Sequence, residues 1–208
     1  CLASSAAAPP IVLFIAVDDL RDWVGFLDGY GGVVRTPNLD RLARESVICR
    51  QGYVTGHVCS PTRTGLMTGR YQQRLGLYTA GEAGSGVPMK EKIFPQFLKT
   101  AGYTSMQIGK WHLGFSYPHR PEDRGFDEVF VHGGGGVGQM EDYFKNSHYD
   151  TTFIHNGKVT PSKGFSTDTL FDRAMDFVES KKDQAFFCFV STPVTHSPHH
   201  GPKDLVAE

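Results

Sequence analysis

Three times along this chain an apolar, β-rich run gives way, at once or within a few residues, to ionisable residues. Residues 11–17 (IVLFIAV) end in Asp18-Asp19, residues 103–108 lead through Gly109 to Lys110 and His112, and residues 185–190 lead to His196. The first run is uninterrupted, the pattern of a strand buried on both faces of a parallel sheet. Helical patterns separate the runs. Residues 36–45 place Leu39, Leu42 and Ala43 on one face, with Thr36 as cap and Pro37 at the first position. A second helix is predicted over 93–101 with Gly102 as its stop, and a third over 167–181, apolar at helical spacing. Alternating strands and helices predict an open α/β sheet, and such sheets hold ligands outside the carboxyl ends of their strands. Residues distant in sequence are therefore expected to meet along one edge.

Composition narrows the class. A chain of 208 residues is enough for one domain, residues 11–208, and no linker divides it. With 21 basic against 22 acidic residues, nothing points to nucleic acid or a charged membrane surface. No stretch is long and apolar enough for a transmembrane segment. Residues 1–10 (CLASSAAAPP) read as a signal-peptide remnant, which predicts export to a periplasmic, extracellular or lysosome-like compartment; Cys1 could instead carry a lipid. Four cysteines in a chain this size do not make a disulfide framework, and Cys49 and Cys188, both in apolar runs, are expected in the core. Glycine-rich residues 81–87 and 132–136 are expected as mobile loops over the strand edge. The four consecutive glycines open no helix through Lys-Ser/Thr, so they are not a phosphate-binding loop.

Cys59-Ser60-Pro61-Thr62-Arg63 adds a compact unit. Pro61 suits the first turn of a helix, Cys59 would sit at its positive end, and Arg63, one turn in, can point back to the same spot. The result is an anion site with sulfur in its floor; a buried loop cysteine is the plainer alternative. Adjacent Asp18 and Asp19 call for a cation or good solvation, and oxygen donors favour a hard divalent ion, although a helix cap or solvated turn would also suit them. On an extended segment Lys110 and His112 would face one side and Trp111 the other. His57, His119, His132, His148 and His155 have no partner that sequence can name and are read as loop or core residues, and Asp40 and Arg41 as surface.

Together these elements resemble the type I, formylglycine-dependent sulfatases, arylsulfatase-like. The carriers are Cys-x-Pro-x-Arg at 59–63 with Leu66-Met67-Thr68-Gly69 behind it, Gly109-Lys-Trp-His-Leu-Gly114, Asp18-Asp19 after the first strand, and Thr195-His196-Ser197-Pro198. His57 and the Val-Thr before His196 depart from the usual pattern. The resemblance implies an alkaline-phosphatase-like α/β fold, a mostly parallel sheet flanked by helices, and hydrolysis of an aryl or carbohydrate sulfate monoester. It implies that a formylglycine-generating enzyme converts Cys59 to Cα-formylglycine. A calcium ion (Ca2+, with Mg2+ as the alternative) would then be held by Asp18, Asp19 and residue 59, with Arg63, Lys110, His112 and His196 around the sulfate. The family also uses an Asp-Asn pair and a further Lys from later in the chain. Neither follows His196, so the chain is expected to be truncated at the C-terminal side, with weak metal binding and little turnover alone. A phosphatase or phosphonate monoester hydrolase of the same fold, or a non-catalytic unmatured fragment, are the alternatives.

Overall fold

A computed structural model describes residues 10–139, 142–202 and 205; the expected signal remnant lies, but for Pro10, outside them. Among the described residues six strands form one sheet: β1 (Val12–Val17), β2 (Thr104–Gly109), β3 (Glu128–Val131), β4 (Thr152–His155), β5 (Lys158–Pro161) and β6 (Phe186–Thr192). Their spatial order is β1-β6-β2-β3-β4-β5. The first four in that order run parallel, and β4 and β5 add an antiparallel end. The helices are α1 (Pro37–Arg44), α2 (Cys59–Thr68), α3 (Ala80–Gly84), α4 (Phe94–Thr100) and α5 (Ser166–Lys181).

β6 is the spine, buried along its whole length. Its alternation sends Phe187 and Phe189 to one face, packed with Met67, Ile93, Trp111 and Phe126. Phe186, Cys188 and Val190 go to the other, against Leu170, Ala174 and Phe177 of α5. Each buried phenylalanine contributes about 2 kcal/mol of apolar transfer. Register carries this alignment to the strand ends. Val17 pairs with Thr192, Ser191 with Gly109, and Gly109 with Val131, so four carboxyl ends share one edge.

The two later predicted helices and the strands fall within a residue or two of expectation, and Gly102 closes α4 with φ +84°. Four expectations need correction. β1 is not sandwiched: it lies at the sheet edge with only β6 beside it, and Leu13, Phe14 and Ile15 stay 37–50% exposed. α1 forms where expected, yet Leu39 and Leu42 are exposed, and the Thr36 hydroxyl accepts from Gly25 N–H (2.8 Å) instead of capping its own helix. Cys49 is exposed, because residues 46–53 form an open segment; Cys188 is core as expected, where burial pushes its thiol up to about 12. The glycine-rich stretches are built structure rather than loose loops. Residues 80–84 form α3, whose first turn is held by Glu82 accepting from the Tyr78 and Thr79 N–H groups (2.8 and 2.9 Å), and residues 131–137 are buried.

Candidate active site

Local sequence delivers each side chain to that edge. β1 runs straight into Asp18, and Asp19 takes a left-handed φ of +59° that turns the chain. Cys59 is the first residue of α2; extended Val58 precedes it without a side-chain cap, leaving first-turn N–H groups free of that competitor. Arg63, one turn on, is buried. Its Nη1 donates to the Lys110 carbonyl (2.9 Å) and to Ser191 Oγ (2.7 Å), and its Nη2 lies 3.7 Å from Asp18 Oδ1. Cys59 and Arg63 face one cavity from successive turns of α2. Gly109, at φ +84°, lets β2 pass against the Ser191 carbonyl, which accepts from Lys110 N–H (2.9 Å). Lys110, with no exposed surface, then sends its ammonium to Asp18 Oδ2. Burial alone would raise the Asp18 carboxyl, but Arg63 and Lys110 together hold it below its usual value.

His112 lies past the end of β2 at φ +55°, so its placement beside Lys110 comes from a left-handed turn and not from strand alternation. Its ring stacks near Phe115 at 6.2 Å, and a Cβ on Gly135 would run into it. Burial, then Lys110 and Arg63, lower it to about 4, so it is neutral at pH 7. Trp111 packs into the core, its indole N–H donating to the His119 carbonyl (3.0 Å). His196 is half-buried: Thr195 N–H donates to the Asp18 carbonyl (2.8 Å), and His196 Nε2 lies 3.9 Å from Asp19 Oδ2. Asp18, Asp19, Cys59 and Arg63 line one cavity of about 440 Å³.

Two histidines that the sequence reading placed in loop or core also stand at this edge. His57 lines the same cavity. His132 directly follows β3, whose last residue pairs with Gly109, and so stands level with Lys110. It is fully buried, Nδ1 lies 2.7 Å from the Gly133 carbonyl, and Nε2 has no hydrogen-bond partner among the described residues. Its pKa falls to about 4, mainly from burial, with Lys110 and Arg63 adding to it. The signal was present: residues 128–131 are a fourth strand running directly into an ionisable residue.

Asp18 and Asp19 offer the oxygen donors a hard divalent cation takes. Both oxygens of Asp18, however, already face a cationic partner, and among the described residues no three His, Cys, Asp or Glu side chains converge on a metal position. The donor chemistry fits such an ion, and the donor number is short of a full site.

Comparison with known proteins agrees with this geometry. The family model described as Sulfatase matches residues 10–208. Human N-acetylgalactosamine-6-sulfatase is 34% identical, the match covering 98% of this chain and 43% of that protein. An N-acetylglucosamine-6-O-sulfatase of Bacteroides thetaiotaomicron is 30% identical over 87% of this chain and 29% of its own length. The chain thus spans less than half the length of these relatives. Among solved structures, Ps i-CgsB in complex with k-i-k-neocarrahexaose superposes with TM-score 0.78 at 30% identity, covering 95% of this chain and 48% of that one. A phosphonate monoester hydrolase of Agrobacterium radiobacter, at TM-score 0.61 and 21% identity over 91% of this chain and 42% of that one, shares the fold alone. The architecture is the alkaline-phosphatase-like α/β fold. A family match running from before β1 to beyond His196 means that the strand ends meeting at Asp18, Arg63 and Lys110 are those of a member of the sulfatase family.

Proposed function

We propose that this chain carries much of the active site of a sulfuric ester hydrolase that cleaves a sulfate monoester of a carbohydrate to alcohol and inorganic sulfate. The observation that carries the reading is that Cys59, at the start of α2, lines one cavity with Asp18 and buried Arg63, and that buried Lys110 reaches the same Asp18 from the end of β2. Two buried cations face the one carboxylate of Asp18, which leaves positive charge for an anionic ester, and charge developing on sulfate oxygens would be stabilised by groups already in place.

Maturation of Cys59 to Cα-formylglycine by a formylglycine-generating enzyme is part of the proposal. The hydrated aldehyde has two hydroxyls on one carbon. One attacks sulfur while the ester oxygen departs, protonated by His196. His112, neutral at pH 7, then takes the proton of the second hydroxyl. The C=O bond re-forms as the bond to the sulfate oxygen breaks, releasing sulfate and restoring the aldehyde. A serine or cysteine has no second hydroxyl for that exit. Asp18 and Asp19 would hold Ca2+, or Mg2+ in its place, which when bound supplies positive charge that favours ionised oxygen at residue 59. Export from the cytoplasm belongs to the same reading; among the described residues no helix is long and apolar enough to cross a membrane.

The test is the mass of the tryptic peptide spanning residues 51–63 from protein made in its native host. Replacement of the Cys59 sulfur by aldehyde oxygen, with a hydrazide-reactive group at that residue, is expected. An alkylatable thiol in all of the protein would overturn the mechanism.

A further inference from the structure

Arg21 stands on the rim of the cavity that Asp18, Asp19, Cys59 and Arg63 line, and the reaction just described does not use it. Its guanidinium lies over the Trp23 ring at 5.1 Å from the centroid, and Trp23 is in turn braced by Tyr30 at 5.0 Å. Arg21 takes a left-handed φ of +58°, as Asp19 does two residues earlier. Among the described residues no carboxylate forms an ion pair with it, and its stacking partners are themselves partly exposed, Trp23 at 37% and Tyr30 at 46%. An arginine held over an indole face is partly ordered already and gives up less entropy when an anion arrives.

The cavity is also larger than one sulfate group needs. Its volume of about 440 Å³ falls in the range of sites that hold whole small ligands. Of the cations that line it, Arg63 is already committed to Asp18, so a second anionic group on the same ligand would find Arg21 at the rim.

We propose that Arg21, held by Trp23, is a specificity-determining residue that binds a second anionic group, a sulfate or carboxylate, on the sugar whose ester is cleaved or on its neighbour. The substrate class is then a glycan with at least two negative charges within reach of one cavity. This rests on the reading of the cavity as a sulfate-ester site.

Calorimetric titration of the 208-residue chain with two sugars tests it: D-glucosamine 2-N,6-O-disulfate, which one structurally similar protein was crystallised with as its substrate, and D-glucosamine 6-O-sulfate. The disulfate is expected to bind about tenfold more tightly, the worth of one charge-assisted contact. Arg21→Ala should bring the two affinities together with thermal unfolding unchanged, Arg21→Lys should keep part of the difference, and Trp23→Ala should reduce it by loosening the guanidinium. A preference that survives Arg21→Ala overturns the proposal. If the monosulfate binds and the disulfate gains nothing, the sulfate reading stands and the role of Arg21 falls. If neither sugar binds, the sulfate reading of the cavity falls and takes Arg21 with it.

Discussion

Lys110 reaches from the end of β2 to Asp18 at the end of β1, its ammonium wholly buried and the carboxylate 12% exposed. Such a pair is costly to break from one side, because the carboxylate loses its nearer countercharge and keeps only Arg63 at 3.7 Å. Lys110→Met should therefore destabilise the fold by about 3 kcal/mol, the usual scale for such a loss. Adding Asp18→Asn should recover little of that, since it leaves buried Arg63 without the carboxylate it faces. Urea midpoints of the two single variants and the double variant check this, and equal midpoints for wild type and Lys110→Met would sink it.

Acid sensitivity follows from the two buried imidazoles. His112 and His132 both sit near pH 4, chiefly through burial, against an ordinary value of 6.5. Between those values the unfolded chain binds more protons than the folded one, so stability falls as pH drops from 6.5 toward 4 and is whole above that window. Asp18 acts lower down. Its depressed carboxyl contributes stability above its ordinary value of 3.8 that is lost on further acidification. His132→Gln should flatten the slope between pH 6.5 and 4, and NMR titration of the His112 ring should give a midpoint near 4. A midpoint near 6 would refute the burial argument.

Much of this edge was legible in the sequence because it depends on neighbours in the chain. Asp18-Asp19 follows an apolar run, Cys59 and Arg63 lie one helical turn apart, and Lys110 comes just after β2. What was not legible depends on partners across the sheet. The exposed faces of β1 follow from strand order, which no local pattern encodes, and the burial of residues 131–137 follows from partners such as Tyr143 and Asp142 beside Gly133 and His112 beside Gly135. His132 read as loop or core, and its burial fits the second; its place at the strand edge follows from β3 running straight into it.

Gly109 and Gly102 share φ +84° but differ in surroundings. A Cβ on Gly102 meets nothing within 4 Å, whereas on Gly109 it would collide with the Ser191 carbonyl oxygen. Gly102→Ala should cost about 1 kcal/mol, the backbone strain alone. Gly109→Ala should cost about 3 kcal/mol once the clash is added. It should also displace Lys110 and Arg63, which bond to the same Ser191. Chemical denaturation of both variants decides it; equal losses would mean that the close approach carries no weight.

Calcium binding should be weak in this chain. Asp18 must release Lys110 and Arg63, at least in part, to ligate a cation, and no third acidic, His or Cys side chain converges with Asp19 among the described residues. A dissociation constant of about a millimolar is expected, the weak end of protein calcium sites. Asp19→Asn should weaken it further. Micromolar binding by calorimetry would show that the two carboxylates suffice.

Among the described residues no strand covers the outer edge of β1, which predicts association of this chain. Leu13, Phe14 and Ile15 are half-exposed on a parallel edge strand, and Leu13 and Ile15 border a groove of about 390 Å³ with Phe171, Met175 and Val178 of α5. Strands of parallel sheets are ordinarily covered on both faces, and an apolar, unpaired edge offers both backbone donors and side-chain area to another chain. Sedimentation of the 208-residue chain should show association that grows with concentration. Ile15→Lys should suppress it while leaving thermal unfolding nearly unchanged, since a lysine at this half-exposed position keeps its stem on the groove and its charge in water. A control at a distant exposed apolar site, Val159→Lys at the far end of the sheet, should leave association intact. A wild-type chain that stays monomeric across the concentration series, or equal suppression by both variants, would show that the β1 edge is not what holds the copies together.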